Sequence, residues 1–497
     1  MNQPEVSRGA GLFVVALLPF VLLATLNSGG YRYGASDQAF YAPAILEGVD
    51  ASLFPRDSDL IRSQARLTLV DNVIGPLGRV TDVELPTLFA ALQVVTLALL
   101  LLAALRIAMS FYKTSWASVA LAAAVTLRHA ITKSGTNTLE GYFHPRQLSF
   151  AIGALAITEF LRGRYGLMVL LVAAAGALHP TTALWFAIWL GVATFVAERR
   201  LRAPVLAGAV CVALLGIAAL VAGPLAGRLV RMDAEWLATL STKDYLFPLR
   251  WPLTAWIVNL GYVPIIALIY RHRRAAGALL EREPALVVGC LSLVVVFLAL
   301  LPFNAAGLAL AIQLQPARIF WMLDFLAIIY VVWAVAEGRT PSVARARLAA
   351  VGMVVLSVVR GTYVMFVEFP DRRIAQIDVN RDDWGQAMTW ARGTERSSGW
   401  LASPDHAARY GTSIRVAAER DVFVEAIKDG AVGMYDRAVA LRTRDRVEEL
   451  GDFPTLSPDH ARALARKYDL DYLVTEQTLD LPEVFSAGKL KIYRLRP

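Results

Sequence analysis

Between Pro86 and Leu105 the chain reads PTLFAALQVVTLALLLLAAL, twenty residues without an Asp, Glu, Lys or Arg. A helix of that length spans about 30 Å at 1.5 Å per residue, which matches the hydrocarbon core of a bilayer. Further apolar runs cover Leu12 to Leu26, Trp116 to Leu127, Leu148 to Leu161, Leu167 to Leu178, Thr182 to Val196, Ala203 to Ala222, Leu253 to Tyr270, Ala285 to Leu301, Ile319 to Val335 and Leu348 to Phe366. Together they predict an all-α polytopic membrane protein with about 11 transmembrane helices. The runs starting at Trp116, Leu148 and Leu167 are short, and need flanking residues or a thinned bilayer to span. Composition agrees: 56% of the residues are hydrophobic and 18% charged, with a mean hydropathy of +0.50, whereas a soluble chain carries about a quarter charged residues.

The formal net charge of +8 does not imply nucleic acid, because Lys and Arg lie between the apolar runs and not on one face or in a tail. Their spacing sets a topology instead. With the N-terminus cytoplasmic, alternate loops carry Arg106 and Lys113, Arg162 and Arg164, Arg199 with Arg200 and Arg202, Arg271 with Arg273, Arg274 and Arg282, and Arg339 with Arg345 and Arg347. That is the distribution expected of inward-facing loops, and an odd number of spans puts the C-terminus outside. Leu26-Asn27-Ser28-Gly29 is a poor cleavage site, so the first run reads as a span and not as a removed signal peptide. Cys211 and Cys290 each sit inside an apolar run and define neither a disulfide framework nor a metal-type spacing.

The outward segments differ from simple connectors. Residues 27–85 form a first outward loop too long to be only a link, and Gly223 to Pro252, with Trp236, Tyr245, Phe247 and Trp251, reads as partly helical interfacial surface. Two domains follow from the composition: a transmembrane domain over 1–366 and a small extracytoplasmic α/β domain over 367–497. In the latter, helices are predicted over Asp383 to Arg392 and Leu456 to Tyr468, the second capped by Ser457 with Pro458 at its first position, and strands over Tyr472 to Val474 and Leu490 to Tyr493.

Residues that can carry chemistry cluster in these outward segments. Asp37 follows the first span among aromatic residues, where a shielded carboxylate can accept a proton from a hydroxyl or bind a divalent ion; it is equally a helix-starting residue after Ser36. Glu140, His144 and Arg146 put a carboxylate, an imidazole and a guanidinium within seven residues at the mouth of a span. The planar fork of Arg146 suits a phosphate, although a snorkelling anchor has the same composition. His179 beside Pro180 marks a helix break, and the two histidines lack the third ligand a zinc site needs. Arg318 and Asp324 are six residues apart on one predicted helix and share no face, so each calls for its own partner; Arg360 is a further phosphate candidate. No Walker, dinucleotide-binding or nucleophile-elbow motif is present in the sequence, which argues against nucleotide-driven chemistry.

This plan resembles the GT-C-fold integral membrane glycosyltransferases of the bacterial, polyprenyl-phosphate-sugar-dependent type. Asp37 falls where that family has an acidic residue just beyond the first span, Glu140 with Arg146 where it has a second charged cluster, and the region after Phe366 where it often has a soluble domain. The resemblance implies a multi-pass enzyme of the bacterial inner (plasma) membrane that moves a sugar from a polyprenyl-phosphate-linked donor to a glycan or lipid acceptor on the outer face. It makes Asp37 the catalytic base with Glu140 as a second acidic group, assigns substrate binding to His144, Arg146, His179, Arg318 and Arg360, and gives the arginines the task of neutralising the lipid phosphate. The family often pairs two acids in the first loop where this chain has Asp37-Gln38, so a requirement for Mg or Mn is left open. Two alternatives remain at this point. A non-enzymatic transporter would show broken helices in matching halves, which the sequence does not display. A polysaccharide ligase or polymerase would carry a large late outward loop, of which Gly223 to Pro252 is a modest version.

Overall fold

A computed structural model describes residues 3–496. Each apolar run forms one helix: α1 Gln3–Asn27, α2 Leu85–Phe111, α3 Ser115–Val125, α4 Pro145–Leu161, α5 Tyr165–Leu178, α6 Pro180–Ala197, α7 Arg202–Ala222, α8 Leu253–Ala275, α9 Glu283–Ala305, α10 Ile319–Ala336 and α11 Val343–Tyr363. Seven helices among the described residues are long and apolar enough to cross a membrane: α2, α6, α8, α9, α7 with the turn before it, α10 with its lead-in from Ala309, and α11 continued to Glu368. Gly11–Asn27 of α1, α3 and α5 are apolar but shorter. The chain is thus helical and compatible with a multi-pass membrane protein.

The chain divides into two compact units, one comprising residues up to Tyr31, Ala91–Arg231 and Asp244–Ala375, the other Arg32–Ala90, Met232–Lys243 and Gln376 onward. The division in space therefore does not follow a single cut in the sequence. Most of the segment between α1 and α2 and part of the segment before α8 fold with the C-terminal residues.

In the first unit α10 is the central helix, with nearly every residue from Ile319 to Leu326 buried. Phe150 of α4 stacks on its Trp321 at 3.9 Å between ring centroids. Gly289 of α9 allows close approach to α6: a Cβ there would lie 2.2 Å from the Trp189 carbonyl oxygen, and the Trp189 indole N–H donates to the Leu286 carbonyl at 2.8 Å. By contrast α7 has no buried residue, and Leu206, Val210, Leu214, Leu215 and Val221 are all exposed. An apolar helix uncovered on every side is stable against hydrocarbon, not against water.

Arg273, which the sequence places among the charges of an inward loop, is in fact fully buried. The last turn of α8 brings it against Glu283 at the start of α9, with Nε to Oε1 at 2.7 Å and Nη2 to Oε2 at 2.9 Å. The Tyr330 hydroxyl donates to the same carboxylate, and the guanidinium lies over the Phe111 and Trp333 rings. Glu283→Ala would leave this cation buried without its counter-charge, at an expected cost of about 3–5 kcal/mol. Thermal unfolding in lipid nanodiscs checks it, and an unchanged midpoint would mean that water reaches Arg273.

The second unit contains the helices Gln38–Val49, Ser58–Ala65, Val70–Thr81 and Ala234–Leu240, together with the α/β fold expected near the C-terminus. Its sheet has strands β1 Gly399–Leu401, β2 Asp421–Val422, β3 Tyr472–Thr475, β4 Glu483–Ala487 and β5 Leu490–Arg494, in the order β2-β1-β3-β5-β4. β1 is parallel to β2 and β3, while β5 runs antiparallel to β3 and β4. The predicted helix Asp383–Arg392 is present, and Pro458–Tyr468 is capped by Ser457, whose hydroxyl accepts from the His460 N–H. Residues Arg56 and Asp57 are locked to this fold: their backbone N–H groups each donate to the Asp421 carboxylate at 3.1 Å, and the Arg415 Nε donates to Asp57 at 2.7 Å. A buried ion pair of this kind explains why a stretch near the start of the chain belongs to the C-terminal unit.

Candidate anion-binding site

In the first unit a short hairpin, Ala130–Ile131 paired with Thr136–Asn137, precedes α4. Its turn places Lys133 at φ 51° and Gly135 at φ 64°, and the Lys133 ammonium pairs with Asp244. Beyond the hairpin, Gly141 lies so close to the chain at Ser28 and Gly30 that a Cβ would meet the Gly30 carbonyl oxygen at 2.5 Å. Only glycine lets the segment after Glu140 lie there.

Glu140 and Arg146 are both buried and joined, Nη2 to Oε1 at 3.0 Å. Asn137 donates to the same carboxylate at 3.1 Å, the Glu140 N–H donates to Gln147 Oε1 at 3.0 Å, and Gln93 donates to the Glu140 carbonyl at 3.0 Å. These bonds hold the carboxylate as an orienting group for the Arg146 fork.

His144-Pro145 and His179-Pro180 are two copies of one device. Each histidine is the N-cap of the helix that its proline begins, α4 and α6 respectively. The Arg146 N–H donates to His144 Nδ1 at 3.0 Å, and the Thr182 N–H to His179 Nδ1 at 3.3 Å. An accepting Nδ1 carries no hydrogen, so the ring proton is on Nε2 and each neutral imidazole presents an N–H donor there. The rings are 6.3 Å apart between centroids. Burial first, then the charges of Arg318 and Arg146, hold His179 well below the usual histidine range, so it is neutral at pH 7. Arg318, also buried, ends the turn Pro316–Arg318 and stands at the N-terminus of α10.

The structure thus brings together Glu140, His144, Arg146, His179 and Arg318, all at the N-terminal ends of α4, α6 and α10. Helix N-termini carry partial positive charge, and two guanidinium groups add to that field. The arrangement suits an anion with several oxygens.

Arg360 is engaged elsewhere. Its Nη1 donates to the Asn27 carbonyl at 3.0 Å and to Asn27 Oδ1 at 2.9 Å, tying the C-terminal ends of α1 and α11. Asp37 belongs to the second unit. It does begin a helix, Gln38–Val49, but its side chain makes no capping bond; Oδ1 instead accepts from the Lys428 ammonium at 2.6 Å. Lys428 also donates to Ser36 Oγ at 3.0 Å, and Lys243 stands nearby, its pKa lowered by burial and by Lys428. Among the described residues no three His, Cys, Asp or Glu side chains gather as a metal-ligand set. The Asp37 carboxylate is thus paired with an ammonium group.

Sequence reading missed two partners. Asp324 pairs with His129, and Asp37 with Lys428. The first had a signal, since a carboxylate inside an apolar helix requires a donor; the second had none. No protein-family model matches this chain, and no curated protein matches it either.

Proposed function

We propose that this is a multi-pass membrane glycosyltransferase with a GT-C-like plan of about eleven spans, which takes its sugar from a polyprenyl-phosphate donor. In this reading it lies in the bacterial inner membrane and transfers the sugar to a glycan or lipid acceptor on the outer face. The observation that carries the reading is the convergence of three helix N-termini with Arg146, Arg318 and two N–H-donating imidazoles. That field stabilises the phosphate more strongly as the sugar departs and negative charge grows on it, which lowers the barrier and not merely the dissociation constant. Glu140 keeps the Arg146 fork in register. Asp37 carries the proton-accepting role implied by the family resemblance, with Lys428 beside it.

The test uses Asp37→Asn and Arg318→Met in a strain lacking the wild-type copy, with extraction of surface glycans and polyprenyl-phosphate sugars. Loss of a surface glycan together with accumulation of the lipid-linked sugar is expected for both. A wild-type glycan profile from normally inserted variants would overturn the assignment.

A further inference from the structure

Asp324 lies about two turns into α10, 4% exposed, between Leu323 and Phe325 in an otherwise apolar stretch. Its Oδ1 meets His129 Nε2 at 3.0 Å, while His129 Nδ1 faces the Leu127 carbonyl oxygen at 3.1 Å. With Asp324 ionised, the carbonyl and the carboxylate oxygen both accept, and the ring satisfies the two of them together when it is an imidazolium. The Asp324 hydrogen bond raises the His129 pKa against the opposing effect of burial, and Arg360 on α11 pulls the other way. The remaining groups facing the pair are Tyr262 on α8, whose hydroxyl approaches the Asp324 carboxylate, and Arg128, whose charge acts on Arg360. His129 is the charged partner of this carboxylate, and the Tyr262 hydroxyl is a neutral neighbour.

His129 also anchors a loop. Its N–H donates to Thr138 Oγ1 at 3.0 Å and its carbonyl accepts from the Thr138 N–H at 2.9 Å. The neighbouring Arg128 Nε donates to the Leu139 carbonyl at 3.0 Å. Residues 128–139 are therefore one tethered piece that ends at Glu140, the group orienting Arg146.

We infer that the His129–Asp324 ion pair is a proton-dependent latch that positions Glu140 and Arg146, so that anion binding weakens as pH rises; this rests on the anion-site reading above. Below the His129 pKa both N–H bonds stand and the loop is fixed. Above it the ring loses one hydrogen, either the carbonyl or the carboxylate faces a lone pair, and the buried carboxylate loses its cation. The latch is thus closed at lower pH and opens as pH rises through a midpoint above the ordinary histidine value of about 6.5. His129 is a positioning residue here and touches no ligand.

The experiment measures binding of farnesyl phosphate monomethyl ester, a monoanion across the range, to the full chain in phosphatidylcholine nanodiscs from pH 6 to 9. Wild-type affinity is expected to fall by about ten-fold across one titration. His129→Gln and Asp324→Asn should bind weakly with a flat profile, and His129→Arg, cationic throughout, should keep the low-pH affinity at pH 9. A His129→Gln profile that falls like wild type overturns the latch. If the probe binds nowhere, or Arg146→Met binds as well as wild type, the anion-site reading fails instead. The latch is then decided by amide exchange over residues 128–140, corrected for intrinsic rate. Protection lost with rising pH in wild type but not in His129→Arg upholds it, and pH-independent protection in wild type sinks it.

Discussion

If the proposed glycosyltransferase reading holds, Arg146→Met is expected to lower sugar transfer by about 10²–10³-fold, the loss typical of removing one preorganised charge-stabilising donor from a water-poor site. The side chain is buried and its fork is fixed by Glu140, so it is aimed without reorganisation. Methionine keeps the length and removes the donors, leaving Glu140 to its bond from Asn137. Arg146→Lys keeps the charge but loses the planar fork, and about a ten-fold loss is expected. Glu140→Gln acts only through Arg146 and should raise KM for the donor more than it lowers kcat. The measurement is consumption of a polyprenyl-phosphate-linked sugar by the nanodisc-embedded chain, with donor chosen from the lipid that accumulates in the deletion strain. Turnover of correctly inserted Arg146→Met within a factor of about two of wild type would remove the site from the mechanism.

Arg415→Leu unfolds or loosens the second unit, at a cost of about 3–5 kcal/mol. Arg415 is buried and bridges Asp57 at 2.7 Å and Asp429 at 2.6 Å, with Glu425 at 3.8 Å, so its loss strands several carboxylates inside the fold. The same cluster makes stability depend on pH with opposing signs. Burial works against ionisation of Asp57, but Arg415 and Arg442 outweigh it and hold its pKa well below the usual carboxylate range. Its contribution is present above the unfolded value of about 3.9 and fades as pH falls through the folded one. Glu425 behaves oppositely. Burial and the charge of Asp429, opposed by Arg415, push it up to about 7. Its contribution is complete below the unfolded value of about 4.3 and is lost as pH rises through the folded value, a loss of about 2 kcal/mol between pH 5.5 and 8. Burial and the neighbouring Asp57 charge raise Asp421 in the same direction. Urea unfolding of the full chain, followed by amide exchange in β1 and β2, should show wild type losing stability over that interval and Glu425→Gln losing less. A Glu425→Gln curve parallel to wild type would show that this carboxylate does not titrate there.

The positions of the apolar helices were legible because their signals are local. Every apolar run became one helix, and the caps at Ser457-Pro458, His144-Pro145 and His179-Pro180 lie where a polar side chain followed by proline begins a helix. Glu140, His144 and Arg146 were found together because they are neighbours in sequence as well as in space. The segment between α1 and α2 was less legible. Its helices Ser58–Ala65 and Val70–Thr81 are short and amphipathic, and their apolar faces acquire meaning only against the rest of the second unit.

Amino-acid sequence by itself determined where the apolar helices run, that Ser457 caps the helix after it and that Asp324 needs a partner, because propensity, periodicity and the cost of burying charge act on the chain locally. Tertiary structure alone decided which charges meet. His129 reaches Asp324 across 195 residues, Arg415 reaches Asp57 across 358 and Lys428 reaches Asp37 across 391. A buried charge requires an opposite one within a few ångströms, but many arginines and carboxylates satisfy that requirement equally on paper. Packing of distant segments selects among them, and it is this selection that gathers His179 and Arg318 beside Arg146 and folds residues Arg32–Ala90 into the C-terminal unit.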